Sequence, residues 1–138
     1  MQRIQFYPSA TLADILDAEA KKNGVSISTF ITDLLNDYYG LTKKNTPNIT
    51  HLSAIVLREV EDYLKKANSR IEFDLLSASP TYRNIDMTCG KKPSAVRASI
   101  GRSFASKIGR APFANVRKYR VNGVQQLSVN NALLYETF

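Results

Sequence analysis

The chain opens with a short alternation of polar and apolar positions. Arg3-Ile4-Gln5-Phe6-Tyr7 has the period of a strand with one buried face, and Pro8-Ser9 ends it. Leu12, Ile15, Leu16 and Glu19 then recur at helical spacing until Asn23-Gly24, a helix stop. Val25-Ser26-Ile27-Ser28 reads as a tight connection carrying its own cap residues. A second helix follows, with Ile27, Phe30, Ile31, Leu34, Leu35 and Tyr38 along one face and Gly40 as its end. Residues 41–52 are polar, turn-rich and without period, which predicts a linker.

A second unit spans 53–138. Its first helix is expected over 53–68, with Val56, Val60, Tyr63, Leu64 and Ala67 facing inward. Residues 71–75 alternate like a strand, and 76–93 predict a loop with one short strand or turn near 82–85. The second helix of this unit is expected over 94–108. Val96, Ile100, Phe104 and Ile108 form its buried stripe, and Ser99, Arg102, Ser103, Ser106 and Arg110 occupy the opposite face. Arg97 and Lys107 fall beside the stripe and are expected to snorkel. Asn122-Gly123 then joins two strands, 116–121 and 124–129, in a hairpin. A two-residue turn sets Val121 against Val124, Arg120 against Gln125 and Lys118 against Leu127. Residues 130–138 close the unit as a short strand or turn on the core.

One strand and two short helices cannot bury their own apolar faces, so the first forty residues make sense as half of a dimer that pairs two strands. The strand, helix, Gly24-Val25-Ser26-Ile27-Ser28 turn and second helix of residues 3–39 resemble a ribbon-helix-helix DNA-binding domain of the Arc, MetJ and CopG type. The similarity covers roughly a quarter of the chain, about one small domain. Pro8 departs from the pattern by cutting the strand short. The resemblance implies a two-stranded ribbon in the major groove, with Ile4 and Phe6 on the helices and Arg3, Gln5 and Tyr7 outward. Arg can bond guanine and Gln adenine through paired hydrogen bonds, so these three are the candidate base readers. It also implies that Ser26, Ile27 and Ser28, at a helix start, clamp a backbone phosphate; plain helix capping explains the same serines.

Charge changes this picture. The protein has 138 residues and a formal charge of +7. Residues 1–40 are nevertheless acidic on balance, with Arg3, Lys21 and Lys22 against Asp14, Asp17, Glu19, Asp33 and Asp37. The positive charge is concentrated in 91–120, where nine Lys and Arg occur and no acid. Arg102, Arg110, Arg117, Lys118 and Arg120 are therefore expected to form a basic surface for nucleic acid or an acidic protein. The residue inventory argues against an enzyme and against a cofactor or metal. His51 stands alone in the expected linker, Cys89 has no disulfide partner, and no phosphate-cradling glycine loop or nucleophile elbow is present. No apolar run or leader points to a membrane, which makes a cytoplasmic location the default.

The expected fold class is α+β: an N-terminal ribbon-helix-helix dimerisation module, then a small basic α+β domain whose helix and hairpin loosely resemble a winged helix. The expected function is a homodimeric DNA-binding regulator that represses its own promoter. Two further classes stay open. One is a phage or plasmid inhibitor of a host nucleic-acid enzyme, of the anti-CRISPR kind, with a protein or RNA-containing target on the C-terminal domain. The other is an antitoxin, or a plasmid partition or transfer accessory protein.

Overall fold

Side-chain caps set the helix starts. In the computed structural model, which describes residues 2–42, 48–67, 69–85 and 93–138, Ser9 Oγ accepts from Leu12 N at 3.2 Å and begins α1 (Ala10–Lys22). Ser26 Oγ accepts from Thr29 N at 3.1 Å and begins α2 (Ile27–Tyr38). Ser26 is thus the cap, and Ser28 lies inside the helix. Both helices end in the same way. Gly24 and Gly40 take left-handed φ values of 70° and 68°, and the next amides, Val25 and Leu41, bond back to Ala20 and Asn36. This double closure satisfies carbonyls that a helix end otherwise leaves open.

The third helix, α3 (Ile49–Lys66), begins four residues before its expected start. Asn48 caps it, its Oδ1 accepting from His51 N at 2.8 Å. Residues 48–50, expected in a solvated linker, are buried. The cause is tertiary: Asp33 of α2 accepts from both Thr50 N and Thr50 Oγ1, and Asp37 Oδ2 accepts from Asn48 Nδ2 at 3.0 Å. The N-terminal helices therefore dock on α3. His51 is exposed as expected, but on a helix, with Nε2 3.7 Å from Asp37.

Beyond α3 the expected strand shrinks to β1 (Glu72–Phe73), because Asp74 caps a helical turn, α4 (Leu75–Ala78), at 2.7 Å from Ser77 N. Ser79 caps a second turn, α5 (Pro80–Arg83), where a loop with a short strand or turn was expected. The long helix α6 (Pro93–Lys107) matches expectation within one residue. Arg97 does not snorkel; its guanidinium donates to the carbonyls of Tyr82, Arg83 and Ile85 and closes the end of α5.

The hairpin forms at its tip, as β3 (Arg120–Val121) and β4 (Val124–Gln125), in the expected register. Asn122 and Gly123 both have positive φ, the turn that suits the twist of flanking strands. Below the tip the expectation fails. β2 (Val116–Lys118) leaves the hairpin and pairs with β5 (Tyr135–Thr137), so Lys118 opposes Tyr135 rather than Leu127. β5 is the centre of a three-stranded antiparallel sheet of order β1-β5-β2. The architecture is α+β, built on this sheet. Its core stacks Tyr135 on Phe73, with Phe104 edge-on to Tyr135 at 4.9 Å and to Phe113 at 5.1 Å. Val56 and Val60 of α3 and Val96 and Ile100 of α6 complete it. No described helix is long and apolar enough to cross a membrane.

Candidate functional site

Two features stand out on this scaffold. The first is the N-terminal arm. Arg3, Gln5 and Tyr7 are exposed, and the strand expected over residues 3–7 is not formed in the single chain: the segment has no regular secondary structure and finds no partner strand among the described residues, and a strand needs a paired edge. The face expected to turn inward is open too: Ile4 is 86% and Phe6 54% exposed. Leu12 and Ile15 of α1 and Ile27, Leu34, Leu35 and Tyr38 of α2 are exposed as well, at spacings that set each helix's residues on one face.

The second feature is a cleft of about 670 Å³ between the α1–α2 turn and the polar face of α6. Gly24, Val25, Ser26 and Thr29 form one wall; Ser99, Arg102, Ser103, Ser106, Lys107 and Arg110 form the other. The packing of the turn explains the juxtaposition. A Cβ at Gly24 would stand 3.0 Å from Ser53 Oγ, 3.1 Å from Leu57 Cδ1 and 3.2 Å from Lys107 Cε, so only glycine lets the turn seat against α3 and α6.

The cleft is electropositive. Lys21, Arg102, Lys107 and Arg110 line it, and no carboxylate does among the described residues. Lys21 is offset by Asp17 at 2.8 Å, whereas Arg102 and Arg110 are exposed with no ion-pair partner among the described residues. Lys107 donates from Nζ to the Lys21 carbonyl oxygen, and burial pushes its pKa down from the ordinary value. At the start of α2 the amides of Ile27 and Ser28 precede the first intrahelical bond, as at any helix start, and the helix dipole adds positive potential there. Ser26 spends its hydroxyl proton on Thr29 Oγ1 at 3.0 Å, which leaves the Thr29 hydroxyl proton free to face the cleft.

The structure therefore joins two sets of residues that the sequence offers separately: Ser26 with its turn, and Arg102 with Arg110. It disperses the rest of the expected basic surface. Arg117 Nε bonds Glu136 Oε1 at 2.6 Å and its guanidinium sits 4.7 Å over the Phe138 ring, so its charge is compensated. Lys118 lines a different groove with Tyr82, Gly101 and Leu133; Arg102 stands on the ridge between that groove and the cleft. Arg120 is exposed on the hairpin, apart from both. Ser28 does not line the cleft, whereas Thr29 and Lys21, which the sequence reading passed over, do. Thr29 sits three residues after the cap, where a capping side chain finds its partner, and that spacing was the available signal. Among the described residues no cluster of His, Cys, Asp and Glu could hold a metal; Cys89, Lys91 and Lys92 lie outside them.

Compared with known protein families, curated proteins and solved structures, the chain shows no significant match.

Proposed function

We propose that the protein is a homodimeric DNA-binding regulator, in which residues 3–39 of two copies form a ribbon-helix-helix unit and the ribbon reads a promoter, its own being the simplest target. The observation that carries this reading is the apolar seam of Ile4, Phe6, Ile15, Leu34, Leu35 and Tyr38. Six large apolar side chains left open on one arm and two helices mark an interaction face. Its occupant is a second copy, because the open side chains include Ile4 and Phe6 of an arm, residues 3–7, that pairs with no strand among the described residues and whose alternating sequence suits pairing with its own copy. Two-fold pairing of residues 3–7 sets Ile4 and Phe6 of both copies over the helices and turns Arg3, Gln5 and Tyr7 toward base edges. Light scattering on the full chain, combined with selection of bound duplexes from a random pool, tests it. Two chains per particle and an enriched sequence are expected; a monomer at micromolar concentrations removes the ribbon.

One observation favours a second reading, an inhibitor of a host nucleic-acid enzyme. Val121 and Val124 at the hairpin tip and Leu127 and Val129 in the segment after it are exposed, apolar side chains suited to a protein partner. Under that reading, Val124→Ser with Val129→Ser leaves dimerisation and DNA binding intact and abolishes the inhibition.

A further inference from the structure

We infer that the cleft between the α1–α2 turn and α6 is a polynucleotide-backbone site, in which the C-terminal domain carries phosphates of the same duplex that the ribbon reads. The inference rests on the reading of the protein as a DNA binder and extends it to residues outside the N-terminal unit. Its ground is the composition of the cleft. Arg102, Lys107 and Arg110 face the α1–α2 turn and the start of α2, and among the described residues no carboxylate lines the walls. Such a site favours an anion by charge, and its neutral groups supply the matching donors: the hydroxyls of Thr29, Ser99 and Ser103.

The layout of the cations selects a polymer. A compact anion is held by donors converging on one point. Here Arg102 and Lys107 are five residues apart on α6, about 7.5 Å along its axis, and Arg110 continues beyond the helix end. That span is about two phosphates of one strand at a rise of 3.4 Å each. The α6 wall also carries serines between the cations, and their short side chains let a backbone approach the helix. Arg110 and Arg102 are exposed, so they can reach phosphate without breaking any contact of the fold.

The coupling to the ribbon follows from how the turn is held. Gly24 seats the turn against Ser53, Leu57 and Lys107, and Asp33 fixes α2 on Thr50. The α6 wall thus moves with α2, and in a dimer two such clefts flank the ribbon at fixed distance from it. Binding through them adds affinity and salt dependence without adding base preference.

The test uses the full chain, with fluorescence anisotropy on a mixed-sequence duplex and on a selected duplex across about 50–200 mM salt, the range over which phosphate contacts change affinity most visibly. Arg102→Ala with Arg110→Ala is expected to lower affinity at least about tenfold on both duplexes alike, and to reduce the log–log salt slope by about 1.8 per protomer, 0.9 for each lost phosphate contact. Arg102→Lys with Arg110→Lys keeps the charge and is expected to retain the slope. Arg3→Ala is expected to do the reverse, flattening base preference. Unchanged affinity and slope in the double-alanine variant, with selective binding by the parent chain, overturns the cleft and leaves the ribbon reading standing. Salt-dependent binding without sequence preference, lost in the double-alanine variant and indifferent to Arg3→Ala, keeps the cleft and removes the ribbon reading. No duplex binding at low salt overturns both. Inorganic phosphate that shifts the Thr29 and Ser103 amide resonances without competing with duplex makes the cleft a small-anion site and overturns the polymer.

Discussion

Asp33 on α2 and Thr50 at the start of α3 are joined twice: the Asp33 Oδ2 atom accepts from Thr50 N at 2.9 Å and from Thr50 Oγ1 at 2.6 Å. Both residues are buried, and their pairing fixes the last part of the expected linker, residues 48–50, against α2. Thr50→Val removes the hydroxyl and leaves the carboxylate with one partner fewer in a dry place. A loss of about 1–3 kcal/mol is expected in denaturant unfolding, with faster amide exchange in α2 than in the parent chain.

Gly24→Ala is expected to destabilise the protein by about 1–3 kcal/mol, through the left-handed φ of 70° and the crowding of Ser53, Leu57 and Lys107. Since those contacts seat the turn, the same substitution opens the cleft. Thermal unfolding measures the first effect, and salt-dependent duplex binding the second.

The expected helices at 12–22, 27–38 and 94–108 match the structure closely, because each is bounded by cap or stop residues visible in the sequence. The hairpin tip was legible for the same reason. The start of α3 was not. Its cap, Asn48, is visible, but the burial of residues 48–50 depends on Asp33, seventeen positions earlier. Lys118 was misplaced because the choice between Leu127 and Tyr135 as its partner is decided by the sheet, not by the turn. The cleft was legible only in halves. Each wall has a sequence signal, and nothing local says that they meet.

Leu35→Glu puts a charge in the middle of the apolar seam. If two copies bury that face, the variant is expected to run as a monomer in light scattering while the C-terminal core keeps its melting behaviour, because Leu35 is about half exposed and outside that core.

Phe104→Ala probes the core directly. Phe104 is fully buried and touches Phe73, Phe113 and Tyr135 edge-on. A loss of about 3–5 kcal/mol is expected in chemical unfolding, large enough to leave this domain marginal.

Asp74 sets an acid limit. Burial pushes its carboxyl up, but polar contacts from Ser128, Ser77 and Asn130 outweigh that and hold it below its ordinary value. A carboxyl depressed in the folded state binds its proton more readily when unfolded. Its contribution is therefore complete above about pH 4, the ordinary aspartate value, and is lost as pH falls through the folded value. Melting temperature measured down through this window is expected to fall more steeply in the parent chain than in Asp74→Asn, which lacks the titration.

The position of β5 has a consequence for the order of events during synthesis. Thr137 bonds Ile71, 66 residues earlier, and Tyr135 fills the middle of the aromatic core. Both neighbouring strands, β1 and β2, wait for this segment with open edges and a half-built core, while α1 and α2 have already left the ribosome with their caps and stops in place. If two copies pair through their arms, that pairing can precede closure of the domain behind them in neighbouring nascent chains, and a chain halted short of residue 135 would keep it with an aggregation-prone remainder attached.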